Sequence, residues 1–220
     1  VTIDSGSGTV TFESTLTGAQ DLVIGSSGDS NQSVFKGAVS NLGDGVGAAI
    51  TLNSSGLQDF QSTVGANSGI DSNSTSGSTK FAGDVTLANG NTKSDFEGAV
   101  TFDGLTFSGF DGLDISGTTT LSTGDVTINT NDGALNLAGI TGASLNLGII
   151  TGSGTGTFTA LADGLGTVTL QSNVSGATGA LNFNAGLTAN SLTTFSRNYA
   201  VKIDGAGTDL IKITGVDNLE

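Results

Sequence analysis

A short phrase, F-x-G-[AD]-V-T-Φ, is written twice in the middle of this chain. It appears as Phe81-Ala82-Gly83-Asp84-Val85-Thr86-Leu87 and as Phe96-Glu97-Gly98-Ala99-Val100-Thr101-Phe102, and its opening recurs at Phe35-Lys36-Gly37-Ala38-Val39. A second phrase repeats after ten residues, Ala134-Leu135-Asn136-Leu137-Ala138-Gly139-Ile140-Thr141-Gly142 and then Ser144-Leu145-Asn146-Leu147-Gly148-Ile149-Ile150-Thr151-Gly152. Self-similarity at short, uneven spacing marks stacked supersecondary units, each too small to bury its own apolar face. Stacked β-units of this kind make scaffolds and contact surfaces.

The turns between such units must be made without proline, because the chain has 36 Gly and no Pro. Gly, Asn and Asp tolerate left-handed backbone, and Asp44-Gly45, Asn89-Gly90, Asp103-Gly104, Asp111-Gly112 and Asp132-Gly133 supply them. Many such turns imply many short strands. Hydrophobic content of 35% predicts a narrow core rather than a globular one. Gly, Ser and Thr in this abundance also suit a disordered chain. Against disorder stand the recurrent Val-Thr-apolar triplets and a charged content of only 12%.

Alternating runs bounded by Gly, Ser or Asn predict strands at 1–3, 8–12, 21–24, 34–39 and 48–52. Further strands are expected near 81–87, 96–102, 113–115, 125–128, 134–137, 144–147, 156–159, 166–170 and 180–183. The stretch 56–80, Ser- and Asn-rich and weakly patterned, is expected to be a loop excursion. Tyr199-Ala200-Val201-Lys202-Ile203 and Asp209-Leu210-Ile211-Lys212-Ile213 read as two closing strands. Their alternating lysines would blunt an exposed edge.

Short strands turning through Gly corners are what a parallel β-helix needs, each coil bonding to the coils above and below. With roughly 20 to 30 residues per coil, residues 1–220 form a single unit of about eight to ten coils. At about 4.8 Å per coil, the rod is on the order of 45 Å long. An antiparallel β-sandwich is the alternative all-β fold, since turns every 8–12 residues suit it as well.

Charge narrows the partners. The net charge is -14, and the six basic residues, Lys36, Lys80, Lys93, Arg197, Lys202 and Lys212, are scattered. No basic stripe is available for a phosphate backbone, so nucleic acid is not expected as a partner. The same acidity opposes docking on anionic lipid and suits a surface or secreted protein. No apolar run approaches the length of a membrane-spanning helix, and no signal segment opens the chain. The absence of Met means that Val1 is not a translational start as written, so the chain is expected to be a piece of something longer, with any anchor or export signal outside it. The absence of Cys adds weak support for export through an oxidising compartment.

With neither His nor Cys, Ser-His-Asp, Cys-His and His-ligated metal chemistry are excluded. Asn129-Thr130-Asn131-Asp132 resembles the Asn-Thr-Asp element of pectin hydrolases, but an extra Asn interrupts it and the partner elements are missing. No catalytic residue is assigned. Calcium is the one ion the Asp and Asn turns could hold. Asp111 and Asp114 flank Gly112, and Gly205-Ala206-Gly207-Thr208-Asp209-Leu210-Ile211 is similar to a half-turn of calcium-binding nonapeptide repeats. Asp111, Asp114 and Asp209 are therefore the calcium candidates, with solvated turn residues the plainer reading and no cofactor otherwise expected. Thr after Val at Val10, Val85, Val100, Val126 and Val168 reads as β-propensity on an exposed face rather than as an ice-binding array. The Phe residues are expected to point inward.

The run from Gly8 to Ile24, with Val10-Thr11-Phe12, Gly18-Ala19-Gln20 and Leu22-Val23-Ile24, followed by Phe35-Lys36-Gly37-Ala38-Val39, resembles the repeats of filamentous-haemagglutinin-like and autotransporter adhesins of bacterial surfaces. Similar Gly/Thr/Val wording occurs in S-layer proteins and other secreted scaffolds. The resemblance implies a right-handed parallel β-helix, export across an outer membrane, and a structural or adhesive role at the cell surface. Unpaired strand edges at an uncapped solenoid end make other copies, stacked head to tail or in a lattice, the expected partners, with a host or surface glycan or protein the alternative. The alternative function the resemblance carries is a calcium-dependent S-layer-like or carbohydrate-binding scaffold.

Overall fold

The computed structural model describes residues 1–88, 92–172 and 174–204, together with the backbone of the closing strand Ile211–Ile213. Every ladder between its strands is parallel, and the described residues contain no helix. The chain winds through three faces. On the first, Thr2–Ile3, Leu22–Ile24, Ile50–Leu52, Ile70–Ser72 and Ser94–Phe96 stack in order and the column continues to Ala200–Ile203. On the second, Thr9–Phe12, Gln32–Phe35, Leu57–Phe60, Ser78–Phe81 and Ala99–Phe102 lie above one another. The third carries Leu16–Thr17, Val39–Leu42, Val64–Ala66, Val85–Leu87 and Thr106–Gly109. About nine coils result. The protein is a parallel β-helix, and the all-parallel pairing overturns the antiparallel sandwich.

Coil length is irregular, from 19 residues between the register partners Ser94 and Leu113 to 28 between Leu22 and Ile50. This unevenness is why the sequence repeats at no fixed period. The F-x-G phrase turns out to be a corner rather than a strand. Phe35 ends a second-face strand, Gly37 turns, and Val39 begins the third face. A Cβ on Gly37 would stand 2.3 Å from the Ser14 carbonyl carbon of the coil below, so only glycine lets the two corners nest. The runs 34–39 and 81–87, expected as single strands, are therefore two strands each. At Phe96 the same wording makes a different corner, between the first and second faces, where Gly98 passes over Gly77. The ten-residue phrase likewise relates sides of one coil, since Leu135–Thr141 crosses the first two faces and Leu147–Ile150 lies on the third.

The stretch 56–80 departs from expectation. Instead of a loop it carries Leu57–Phe60, Val64–Ala66 and Ile70–Ser72 and leads into Ser78–Phe81. Its pattern is faint because an inward column of the second face is polar there, Ser33, Gln58 and Thr79 being register partners that are all buried.

The core is a set of columns along the axis. Phe12, Phe35, Phe60, Phe81 and Phe102 stack with ring centroids 4.5, 4.3, 5.1 and 6.1 Å apart. Leu121 takes the next position in that column, and Phe158 and Phe183 form a second stack, at 4.5 Å, on the first face. Register between coils brings like rings together, and each such pair adds about 0.5–1.5 kcal/mol to its burial. Phe110 is the exception to the inward rule, 39% exposed in a turn. Side chains join the coils at the corners too. Gln171 Oε1 accepts from the backbone N–H of Thr151 and Gly152 at 3.0 and 3.1 Å, while its Nε2 donates to Thr151 Oγ1 at 2.9 Å.

Candidate functional surface

Because strand backbones bond to the coils above and below, the outward side chains of each face are brought into columns about 4.8 Å apart. On the first face one outward column runs Thr51, Asp71, Asp95, Asp114, Asn136, Thr157, Asn182 and Lys202. Three consecutive carboxylates at this spacing repel one another unless countered. Lys93, at the corner preceding Ser94–Phe96, supplies the counter-charge. Its Nζ lies 3.3 Å from Asp95 and donates to Asp114. Asn136 Nδ2 donates to the other oxygen of Asp114 at 2.7 Å. Hydrogen bonding to Asp114 holds the Lys93 ammonium above its ordinary pKa, despite partial burial. Asp71, out of reach of that hydrogen bond, is pushed upward by burial and then by the charge on Asp95. A shallow groove lies beside this column, lined by Asp114, Ser116, Asn136, Ala138 and Thr159.

The third face carries a different surface. Thr106, Thr127, Gly148, Thr169 and Thr193 form one outward column. Beside it, hydrogen bonds run along the axis. Asn146 donates through its backbone N–H and its Nδ2 to Asp125 at 2.9 and 2.8 Å, and Asn146 Oδ1 accepts from the Thr167 N–H at 2.6 Å. Ser191 and Thr167 hydroxyls meet at 2.9 Å. The backbone and side-chain donors of Asn146 hold Asp125 below the usual carboxylate range. The outcome is a narrow, polar, largely uncharged strip whose groups satisfy one another.

Asp114 projects from its strand with both oxygens engaged by Lys93 and Asn136. Asp111 sits in the preceding turn and has a neighbour of its own. Asp209 lies outside the described residues. Among the described residues no group of three or more acidic, His or Cys side chains could hold a metal ion. The Asn129-to-Asp132 run is a corner. Asn129 Oδ1 accepts from the Asn131 N–H at 2.9 Å, Thr130 Oγ1 donates to Gly133 O at 2.6 Å, and Asp132 Oδ1 accepts from the Ser153 N–H of the next coil at 2.7 Å.

The basic residues are dispersed and mostly paired, Lys36 with Glu13 at 2.8 Å, Lys80 with Asp103 at 2.9 Å and Lys202 with Asp204 at 2.8 Å. No helix among the described residues is long and apolar enough to cross a membrane. The acidic column escaped sequence reasoning because its members are separated by whole coils. Its only trace is the recurring triplet with Asp in the middle, Ile70-Asp71-Ser72, Ser94-Asp95-Phe96 and Leu113-Asp114-Ile115. Comparison with protein-family models, with curated proteins and with solved structures finds no match.

Proposed function

We propose that this chain is a non-enzymatic structural and adhesive segment of a secreted bacterial cell-surface protein, self-associating through its coil ends and meeting other surfaces through its polar faces. The observation that carries this is the use of the residues themselves. Most of the large apolar side chains are consumed in an axial core, the corner polar groups bond coil to coil, and much of what faces outward is a set of ladders of Asp, Asn and Thr. Such ladders offer hydroxyl, amide and carboxylate groups at a fixed repeat, the chemistry of a glycan or protein contact rather than of turnover. Unpaired strand edges at a solenoid end favour head-to-tail stacking or lattice formation. A net charge of -14 suits an exposed extracellular surface and opposes nucleic acid.

The acidic outward column favours one second reading, a calcium-dependent S-layer-like or carbohydrate-binding scaffold in which the ion screens Asp71, Asp95 and Asp114 between copies. Sedimentation velocity over a hundredfold range of protein concentration, with calcium chloride or EDTA, separates the two. Growth of large species in both conditions supports the metal-free rod, and growth only with calcium supports the scaffold. A monomer throughout, with turnover of any polyuronide offered, would defeat both.

A further inference from the structure

We propose that the corner between the first and second coils, where Asp4 neighbours Asp29 and Asp29 faces the buried amide of Asn31 across Gly25, is a binding site for a hard divalent cation, calcium in preference to magnesium. The site is separate from the acidic column and stands independently of the structural role above, because it is read from binding to a single molecule.

Three observations converge on it. The carboxyl groups of Asp4 and Asp29 lie within hydrogen-bonding reach of one another. Two carboxylates that close need a shared proton or a cation between them. Secondly, Asn31 is fully buried, and neither its Oδ1 nor its Nδ2 has a protein partner. A buried amide oxygen left unpaired is costly, and an amide oxygen beside carboxylates is a natural calcium ligand. Thirdly, the backbone lets the two oxygens converge. Gly25 has φ +72, and a Cβ there would stand 2.8 Å from Asn31 Oδ1 and 3.5 Å from Asp29 Oδ2, so only glycine lets both oxygens converge on this point of the backbone.

The surrounding bonds fix the ligands. Asp29 Oδ2 accepts from the Ser26 N–H at 2.6 Å and from its hydroxyl at 2.9 Å, which fixes where that oxygen stands. Asp4 Oδ1 accepts from the Gly6 N–H at 3.0 Å. Ser54 Oγ donates to the Asn31 carbonyl at 2.7 Å and anchors that residue from the coil above. Three protein oxygens leave the remaining positions to water. Calcium accepts that irregular, larger-radius arrangement, whereas magnesium demands near-octahedral geometry and gives up its waters reluctantly.

The test is isothermal titration of calcium chloride, and separately magnesium chloride, into EDTA-treated full chain at neutral pH, with thermal melts in parallel. Expected for the wild type are saturable calcium binding and a raised melting temperature. Asp4→Asn, whose side chain is exposed and whose amide oxygen can still accept from Gly6, should weaken binding by roughly tenfold or more, as should Asp29→Asn. Asp114→Asn should leave this binding unchanged. If Asp29→Asn does not fold, Asp4→Asn and an anomalous-difference map of calcium-soaked crystals carry the test. No calcium heat in the wild type, unweakened binding in Asp4→Asn, equal loss in Asp114→Asn, or a calcium-soaked map with no peak at this corner would each overturn the site.

Discussion

Phe60 is the residue whose removal reports most clearly on the axial core. Its side chain is 0% exposed, and its ring lies 4.3 Å from Phe35 below and 5.1 Å from Phe81 above. Truncation to Ala removes on the order of 150 Å² of buried aromatic surface, worth about 4 kcal/mol at 25 cal/mol per Å². Breaking two stacked contacts adds about 1 kcal/mol. The cavity cannot close, because the rungs above and below are fixed by their own backbone ladders. The expected loss, about 4–5 kcal/mol, is at the upper end for a Phe→Ala change. Phe60→Leu, which fills most of the space, should cost about 1.5 kcal/mol, and Phe110→Ala, at an exposed turn, about 0.5–1 kcal/mol. Urea unfolding followed by far-ultraviolet circular dichroism measures all three. Since each coil touches only its neighbours, Phe60→Ala should also split the transition into two phases, the coils on either side unfolding separately. A midpoint for Phe60→Ala within error of that for Phe110→Ala, with one sharp transition, would refute the axial-column account.

Gly98→Ala should lower the melting temperature sharply, by the equivalent of roughly 2 kcal/mol or more, because its Cβ would stand 2.2 Å from the Gly77 carbonyl oxygen. Gly176→Ala, with nothing within 4 Å, should be near neutral. Asp132 is held below its ordinary pKa first by the Ser153 N–H, so its contribution is present above the unfolded value and lost as the pH falls through the folded one. Asp132→Asn should therefore flatten the acid limb of the stability curve below about pH 4. Asp71 has the opposite sign, since burial raises its pKa and its charge costs stability at neutral pH. Asp71→Asn should stabilise the protein at pH 7 and lose that advantage in acid. Lys93→Gln strips the counter-charge from Asp95 and Asp114, and the destabilisation seen in chemical unfolding at 0.05 M salt should shrink at 1 M.

How far the sequence disclosed this molecule depended on what each residue reports. The recurrent Phe and Val-Thr wording sufficed for a stacked β-architecture, because an inward Phe and a corner Gly are dictated by local chemistry. It misplaced the corners inside 34–39 and 81–87, because a corner of three residues leaves the apolar spacing looking like one longer strand. It missed the coil within 56–80 because Gln58 and Thr79 occupy inward positions that Val100 and Ile140 fill with apolar side chains in later coils of the same column. The surface was less legible still. Asp71, Asp95 and Asp114 become a column only once register is known, and Asp4 reaches the corner of Gly25, Asp29 and Asn31 only because one coil lies on the next. Asp111 and Asp114 drew notice through sequence adjacency, which in a solenoid says less than separation by one coil.

The proposal that the rod assembles and presents its faces is tested most directly by negative-stain electron microscopy of the purified chain with and without calcium. Thin filaments, or ordered sheets built from rods on the order of 45 Å per chain, are the predicted result. Compact particles that neither stack nor align at any concentration, with or without calcium, would contradict it.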